Sequence, residues 1–291
     1  MTRRMIGCVA MLLAALLTTS LSAQRITRRV FVSARAAGAP VLDLTAADFQ
    51  IIENGTKREA TRAALGKAPM RIVLLVDSSS AIPKMLNHFR AGLNTFFDTL
   101  APEHEVALIS TGGQIRIRVQ PTSDRAALKE AAGRFASDGG ANSFVETMLE
   151  SDKRFLRPVT QWPVIVFVTT DNGISQDNPR VKEYNAFIMN FMQRGGSAHG
   201  IVIKGASSGN IAYVAENLVL NTRGIHSVVN QSTAVESDLK AIAERLTADH
   251  AKMANVYEID YPSDGKIEDP AVEVSTSRGN VTLQLSLRRP M

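Results

Sequence analysis

Two acidic residues, far apart in this sequence, each close a long apolar run, and together they could bring oxygen ligands to one place. The first run, Arg71-Ile-Val-Leu-Leu-Val76, leads into Asp77-Ser78-Ser79-Ser80-Ala81, and the second, Trp162-Pro-Val-Ile-Val-Phe-Val-Thr-Thr170, ends in Asp171-Asn172-Gly173. Apolar runs of this kind read as strands buried on both faces of a mostly parallel sheet, and ligands bind beyond the C-terminal ends of such strands. Carboxylates and hydroxyls converging from two loops suit a divalent cation. The same residues also have simpler uses. Asp77 could cap the helix that follows, the serine hydroxyls could satisfy loop amides, and Asp171-Asn172-Gly173 is a turn signal.

Other catalytic and binding signatures are weaker. Gly205-Ala-Ser-Ser-Gly209 matches the nucleophile turn of serine hydrolases, with Ser207 as the nucleophile and Asp238 and His250 in permissible chain order. Those two partners fall at opposite ends of one predicted helix, so a triad is not expected. A serine hydrolase is therefore the distant alternative, and the chain is read as a non-enzyme. His88, His104, His199, His226 and His250 show no metal-binding spacing and are expected mostly on the surface or on helix faces. There is no phosphate loop and no Gly-x-Gly-x-x-Gly after the first strand, which argues against a nucleotide.

The elements that must position Asp77 and Asp171 follow from periodicity. From about residue 71 to 249 strand and helix patterns alternate, implying crossover units and a doubly wound, Rossmann-like α/β domain. In the first helix Ile82, Met85, Leu86, Phe89, Leu93, Phe96, Phe97 and Leu100 repeat at three- and four-residue spacing. Strands are expected at 105–111 and 114–119, joined at Gly112-Gly113, and further on at 198–203 and 224–229. Helices are expected at 125–135, 144–156, 180–193, 211–221 and 234–249. Both flanks instead alternate apolar and polar residues around Asn54-Gly55, Asp264-Gly265 and Arg278-Gly-Asn280 turns, as antiparallel strands do. Neither flank has enough strands to stand alone. The α/β domain, residues 69–250, is therefore expected to be inserted in a small β-sandwich built from residues 24–68 and 251–291.

Composition narrows the class. With 291 residues, 45% of them hydrophobic, the chain can bury a large core. Residues 1–23 have a basic start, an apolar middle and small residues before Gln24, which reads as a secretory signal peptide and places the protein in the periplasm or outside the cell. Removing it takes away Cys8, the single cysteine, and lowers the formal charge from +5 to +3 by the loss of Arg3 and Arg4. The remaining basic residues are interleaved with acids, so no nucleic-acid groove is expected. No second apolar stretch is long enough to span a membrane.

An apolar strand followed by Asp-x-Ser-x-Ser, with a second ending near Thr-Asp-Gly, resembles the von Willebrand factor A domains and their metal-ion-dependent adhesion site. The flanking Leu44-Thr-Ala-Ala-Asp-Phe-Gln-Ile-Ile-Glu-Asn-Gly55 resembles the segment that precedes the domain in a bacterial secreted subfamily. The resemblance implies Mg²⁺ or Mn²⁺ held by Asp77, Ser79, Asp171 and a middle-loop residue, Asn142 or Ser143, with Asn142 preferred because Glu146 follows four residues on. It also implies a protein partner whose exposed acidic residue completes the cation's shell. The pattern is broken at Ala81, which stands where a second serine belongs. The function implied is adhesion-type recognition at this edge, with a metal-free structural or assembly role in the cell envelope as the alternative.

Overall fold

The computed structural model describes residues 26–172, 181–205, 209–265, 270–287 and 289. The segment read as a signal peptide lies outside the described residues, as do Gly173 and Ser207. The chain opens with β1 (Ile26–Ala36), β2 (Ala39–Pro40), β3 (Phe49–Glu53), β4 (Thr56–Glu59) and β5 (Arg62–Leu65). A central unit follows. Its first half is β6 (Met70–Val76), α1 (Leu86–Thr99), β7 (Glu105–Ser110), β8 (Arg116–Thr122), α2 (Arg125–Gly133) and α3 (Phe144–Ser151). Its second half is β9 (Trp162–Asp171), α4 (Val181–Gln193), β10 (Ser197–Lys204), α5 (Ile211–Thr222), β11 (His226–Val229) and α6 (Val235–Met253). The chain ends with β12 (Val256–Ser263), β13 (Val272–Thr276) and β14 (Thr282–Ser286).

The central sheet has the order β11-β10-β9-β6-β7-β8, parallel except for the β7–β8 pair. Its middle strands are apolar on both faces because both faces are covered. Ile72, Leu74 and Val76 of β6 join the cluster formed with α1, α2 and α6, while Val73 and Leu75 join the cluster formed with α3, α4 and α5. Each such fully buried aliphatic side chain contributes about 1.5–3 kcal/mol of transfer free energy. From β6 the chain moves one way to β7 and later returns on the other side to β9, so the order reverses between β6 and β9. Asp77 and Asp171 follow these two strands, at the switch point where open α/β sheets leave a crevice.

The flanks meet as the alternation implies. β1 pairs antiparallel with β12, and the sheet runs β14-β1-β12-β5, while β13-β3-β4 makes a second sheet. Val30, Val32, Phe49, Ile51, Tyr257, Ile259 and Tyr261 from both sheets share one buried cluster. Asn54 and Gly55 join β3 to β4 with φ of 47° and 76°, the left-handed pair that a two-residue hairpin of the right twist requires. The turn at Arg278 to Asn280 makes no hairpin. It passes the chain from β13, which pairs with β3, to β14, which pairs with β1.

Two expectations change. The helix expected over 144–156 keeps α geometry only to Ser151, and Asp152–Leu156 is a π turn closed by Arg157 N to Asp152 O at 2.9 Å. The buried Asp152 carboxylate accepts from Arg157 Nε at 2.7 Å and from Arg194, which favours the wider turn there. His104 and His199, expected on surfaces or helix faces, are fully buried, each with Nδ1 accepting a backbone amide, from Met70 and Ile225 respectively.

Candidate functional site

Asp77 leaves β6 with no exposed surface and is surrounded by donors. Its Oδ1 accepts from Ser79 N at 2.7 Å, a local turn made by the side chain two residues back. Its Oδ2 accepts from Asn142 Nδ2 and Thr170 N, both at 3.1 Å, and from the Thr170 hydroxyl. An ionised carboxylate offers about four lone-pair positions. Four protein donors meet the group, one at Oδ1 and three at Oδ2, from its own loop, the loop before α3 and the end of β9, which is what allows it to be buried so deeply.

The loop carrying Ser78 to Ser80 is fixed from outside as well. Asp138 N donates to Ser78 O at 2.7 Å, Ser137 Oγ donates to Ser79 O at 2.8 Å, and Gly112 N donates to Ser78 Oγ at 2.9 Å. Gly112 must lack a side chain: a Cβ there would lie 2.4 Å from Ser78 C and O. Burial would raise the Asp138 carboxyl, but hydrogen bonds involving Ser78, Arg118 and Ser110 outweigh it and hold the group below the usual carboxylate range.

Of the four sequence-derived ligands, Ser79 and Asn142 hydrogen-bond Asp77 directly, while Asp171 makes its hydrogen bonds to the loop before α5. Asp171 Oδ1 accepts from Gly209 N at 2.9 Å and its carbonyl accepts from Gly205 N at 2.9 Å, so it ties the end of β9 to the loop before α5. Ser79 Oγ accepts from Ala81 N at 3.4 Å, and Ser80, exposed, donates to Gly140 O at 3.1 Å. Ser143 sits at the N-cap of α3 without a side-chain cap bond. Beside Asp171 the edge opens into a depression of about 500 Å³ lined in part by Lys204, Tyr213, Glu216, His226 and Val228. Thr111, Asp138 and Thr170 were missed from sequence. The hydroxyl pair Thr169-Thr170 at the end of an apolar strand was the available signal for the last of them.

A sequence profile of the von Willebrand factor type A domain matches residues 72–174. The segment is a von Willebrand factor type A domain. A comparison with characterised proteins found no sequence match. Among solved structures, a von Willebrand factor type A protein from Catenulispora acidiphila is similar over 76% of this chain and 51% of that one, at 14% identity and a TM-score of 0.52. An aerotolerance-related membrane protein from Bacteroides fragilis is similar over 60% of this chain and 99% of that one, at 13% identity and a TM-score of 0.47. BatB from Bacteroides thetaiotaomicron is similar over 63% and 99%, at 16% identity and a TM-score of 0.47. The chain spans about half the length of the first of these, and at such identities the likeness is one of fold.

Domains of this type often hold Mg²⁺ or Mn²⁺ at the strand edge, and the donor set of this A domain does not suit such an ion. A hard cation takes six or more oxygen ligands. Here Asp77 already accepts four protein donors, three of them on Oδ2, Asn142 turns its nitrogen to the carboxylate, Ala81 has no side-chain oxygen, and Asp171 Oδ1 accepts from Gly209 N. One other group of metal-type side chains occurs among the described residues, Glu103, His104 and His250, whose ligand atoms lie within 4.8 Å of one another. It sits at the opposite end of β6. Met70 N donates to His104 Nδ1 at 3.2 Å, so the neutral ring carries its proton on Nε2, the buried atom that has no other partner and would have to ligate. That tautomer opposes a metal there too.

The hydrolase reading finds no support in the partners. Asp238 bonds Ser227, and His250 pairs with Ala68 O at 2.9 Å. Twelve residues apart on α6, they are separated by roughly 18 Å at the helical rise. Among the described residues no helix is long and apolar enough to cross a membrane.

Proposed function

We propose that this chain is a secreted or periplasmic binding module that recognises a protein partner at the C-terminal edge of its central sheet, and that it works by recognition and not by catalysis. A domains generally mediate protein–protein interaction. The observation that carries the reading is the convergence of two loops and the end of β9 on the buried Asp77, which makes a rigid, pre-shaped edge at the switch point of the sheet. Preorganisation of this kind lowers the ordering cost of binding. The extracytoplasmic placement rests on the basic start and apolar run of residues 1–23.

The contacts available to a partner are the exposed rim: Ser80, Lys204, Tyr213 (71% exposed) and Val228 (43% exposed). An acidic partner residue was a corollary of the cation and has no separate basis at this edge. The test is capture of envelope and extracellular proteins by immobilised residues 24–291, compared with Ser80→Arg and Tyr213→Ala variants. Recovery of the same partner, weakened by both edge substitutions and unaffected by Arg35→Ala on β1, supports the reading. Equal recovery by all the variants sinks it.

A further inference from the structure

We infer that the side-chain amide of Asn142 is a built-in replacement for a divalent cation, so that the edge is held in its binding shape permanently and without metal. Asn142 is fully buried, and its amide orientation is determined by its neighbours. Oδ1 accepts from Thr111 Oγ1 at 2.6 Å, while Nδ2 donates to Asp77 Oδ2 at 3.1 Å and to Thr169 Oγ1 at 2.8 Å. Turning the amide over would press its carbonyl oxygen against the Asp77 carboxylate. The nitrogen is therefore the atom that faces the acid.

That nitrogen performs the two tasks an ion would perform there. It brings partial positive charge to a buried carboxylate, and it links the loop after β6, the loop before α3 and the end of β9. A Cβ-only residue at position 81 is consistent with this. Ala81 packs against the apolar cluster under α1, where a hydroxyl would have no cation to serve. Asp77 Oδ1 also accepts from Ser79 N, and Oδ2 from the amide and hydroxyl of Thr170, so an ion approaching Oδ2 would have to displace protein donors as well as shed its own water.

This deepens the proposed recognition at the same edge and rests on it for its biological meaning. Partner binding at this edge should survive chelation. The two claims fail separately. A partner captured only in the presence of Mg²⁺ would overturn the amide replacement and leave recognition standing, whereas the cation measurement below involves no partner.

The test is calorimetric titration of residues 24–291 with MgCl₂ and with MnCl₂, on the wild type and on Asn142→Thr/Ala81→Ser. The double substitution removes the nitrogen and supplies two hydroxyl oxygens. The expected result is no saturable heat from the wild type up to millimolar cation, and saturable binding by the double variant with a rise in its Tm on adding Mg²⁺. Saturable binding by the wild type that is lost in Asp77→Ala overturns the inference, as does a folded double variant that stays silent. Should the double variant not fold, the wild-type side-chain amide protons of Asn142 decide. Slow exchange and no shift on adding Mg²⁺ support the inference, and rapid exchange or a saturable shift overturns it.

Discussion

Replacing Asn142 by alanine removes several hydrogen bonds at once, and the sum of the three shortest can be set against the stability of the fold. The bond to the Asp77 carboxylate is of the charged kind, contributing about 1.5–3 kcal/mol, and the bonds with Thr111 and Thr169 contribute about 1 kcal/mol each. The expected loss is therefore about 4 kcal/mol, a large fraction of the roughly 5–15 kcal/mol by which native proteins are stable. For a chain of this size each kcal/mol moves Tm by about 2–4 °C, so Asn142→Ala should melt about 8–16 °C lower. Ser80→Ala is the control. That exposed hydroxyl makes one bond, to Gly140 O, and its loss should stay within about 0.5 kcal/mol. The assay is urea unfolding followed by circular dichroism, with a parallel melt. An Asn142→Ala loss below about 1 kcal/mol at unchanged m would refute the reasoning, since the buried carboxylate would then not need its amide.

Further substitutions and pH probe the rest of the account. Gly112→Ala drives a methyl into the Ser78 backbone and should cost about 3 kcal/mol, with altered amide shifts at Ser78 and Ser79 in the NMR spectrum; an unperturbed loop would contradict the close packing. Burial, aided by the nearby His250, pushes the His104 ring down to about 4, and burial likewise pushes His199 down to about 4. Unfolded histidine titrates near 6.5, so between about pH 6.5 and 4 the unfolded chain binds more protons and stability falls as pH falls. The limit is about 1.4 kcal/mol per pH unit per histidine, and His104→Asn, which keeps an acceptor for Met70 N, should lessen the slope of urea midpoint against pH. Arg289 is buried between Trp162 and Phe31, 4.1 and 4.9 Å from the ring centroids, and pairs with Glu258. Arg289→Ala leaves Glu258 to Arg29 and Arg62 and opens a cavity between the two rings, and should cost about 3 kcal/mol by urea unfolding.

Much of the framework could be read from the sequence because it depends on periodicity. The apolar runs ending at Val76 and Thr170 became neighbouring central strands, and the three- and four-residue spacing from Phe89 to Phe97 became the buried face of α1. Asn54-Gly55 marked its hairpin because only residues tolerant of positive φ can make that turn. The site was less legible. Which way the Asn142 amide faces depends on Thr111 after β7 and Thr169 in β9, both distant in the chain, and no local pattern encodes that. Asp171 was placed by its strand, but its carboxylate is oriented by Gly209, 38 residues later. The burial of His199 had a signal in its position within the apolar strand 198–203. His104 had none, since it lies in a short loop and is enclosed by residues from α6 and the start of β6.

The most direct measurement of the central claim is a crystal of residues 24–291 soaked in millimolar Mn²⁺, with anomalous diffraction data collected at the manganese edge. The account predicts no anomalous peak among Asp77, Ser79, Asn142 and Asp171, with the Asn142 nitrogen still on the Asp77 carboxylate. A peak there, with the Asn142 amide turned to present its oxygen, would contradict it.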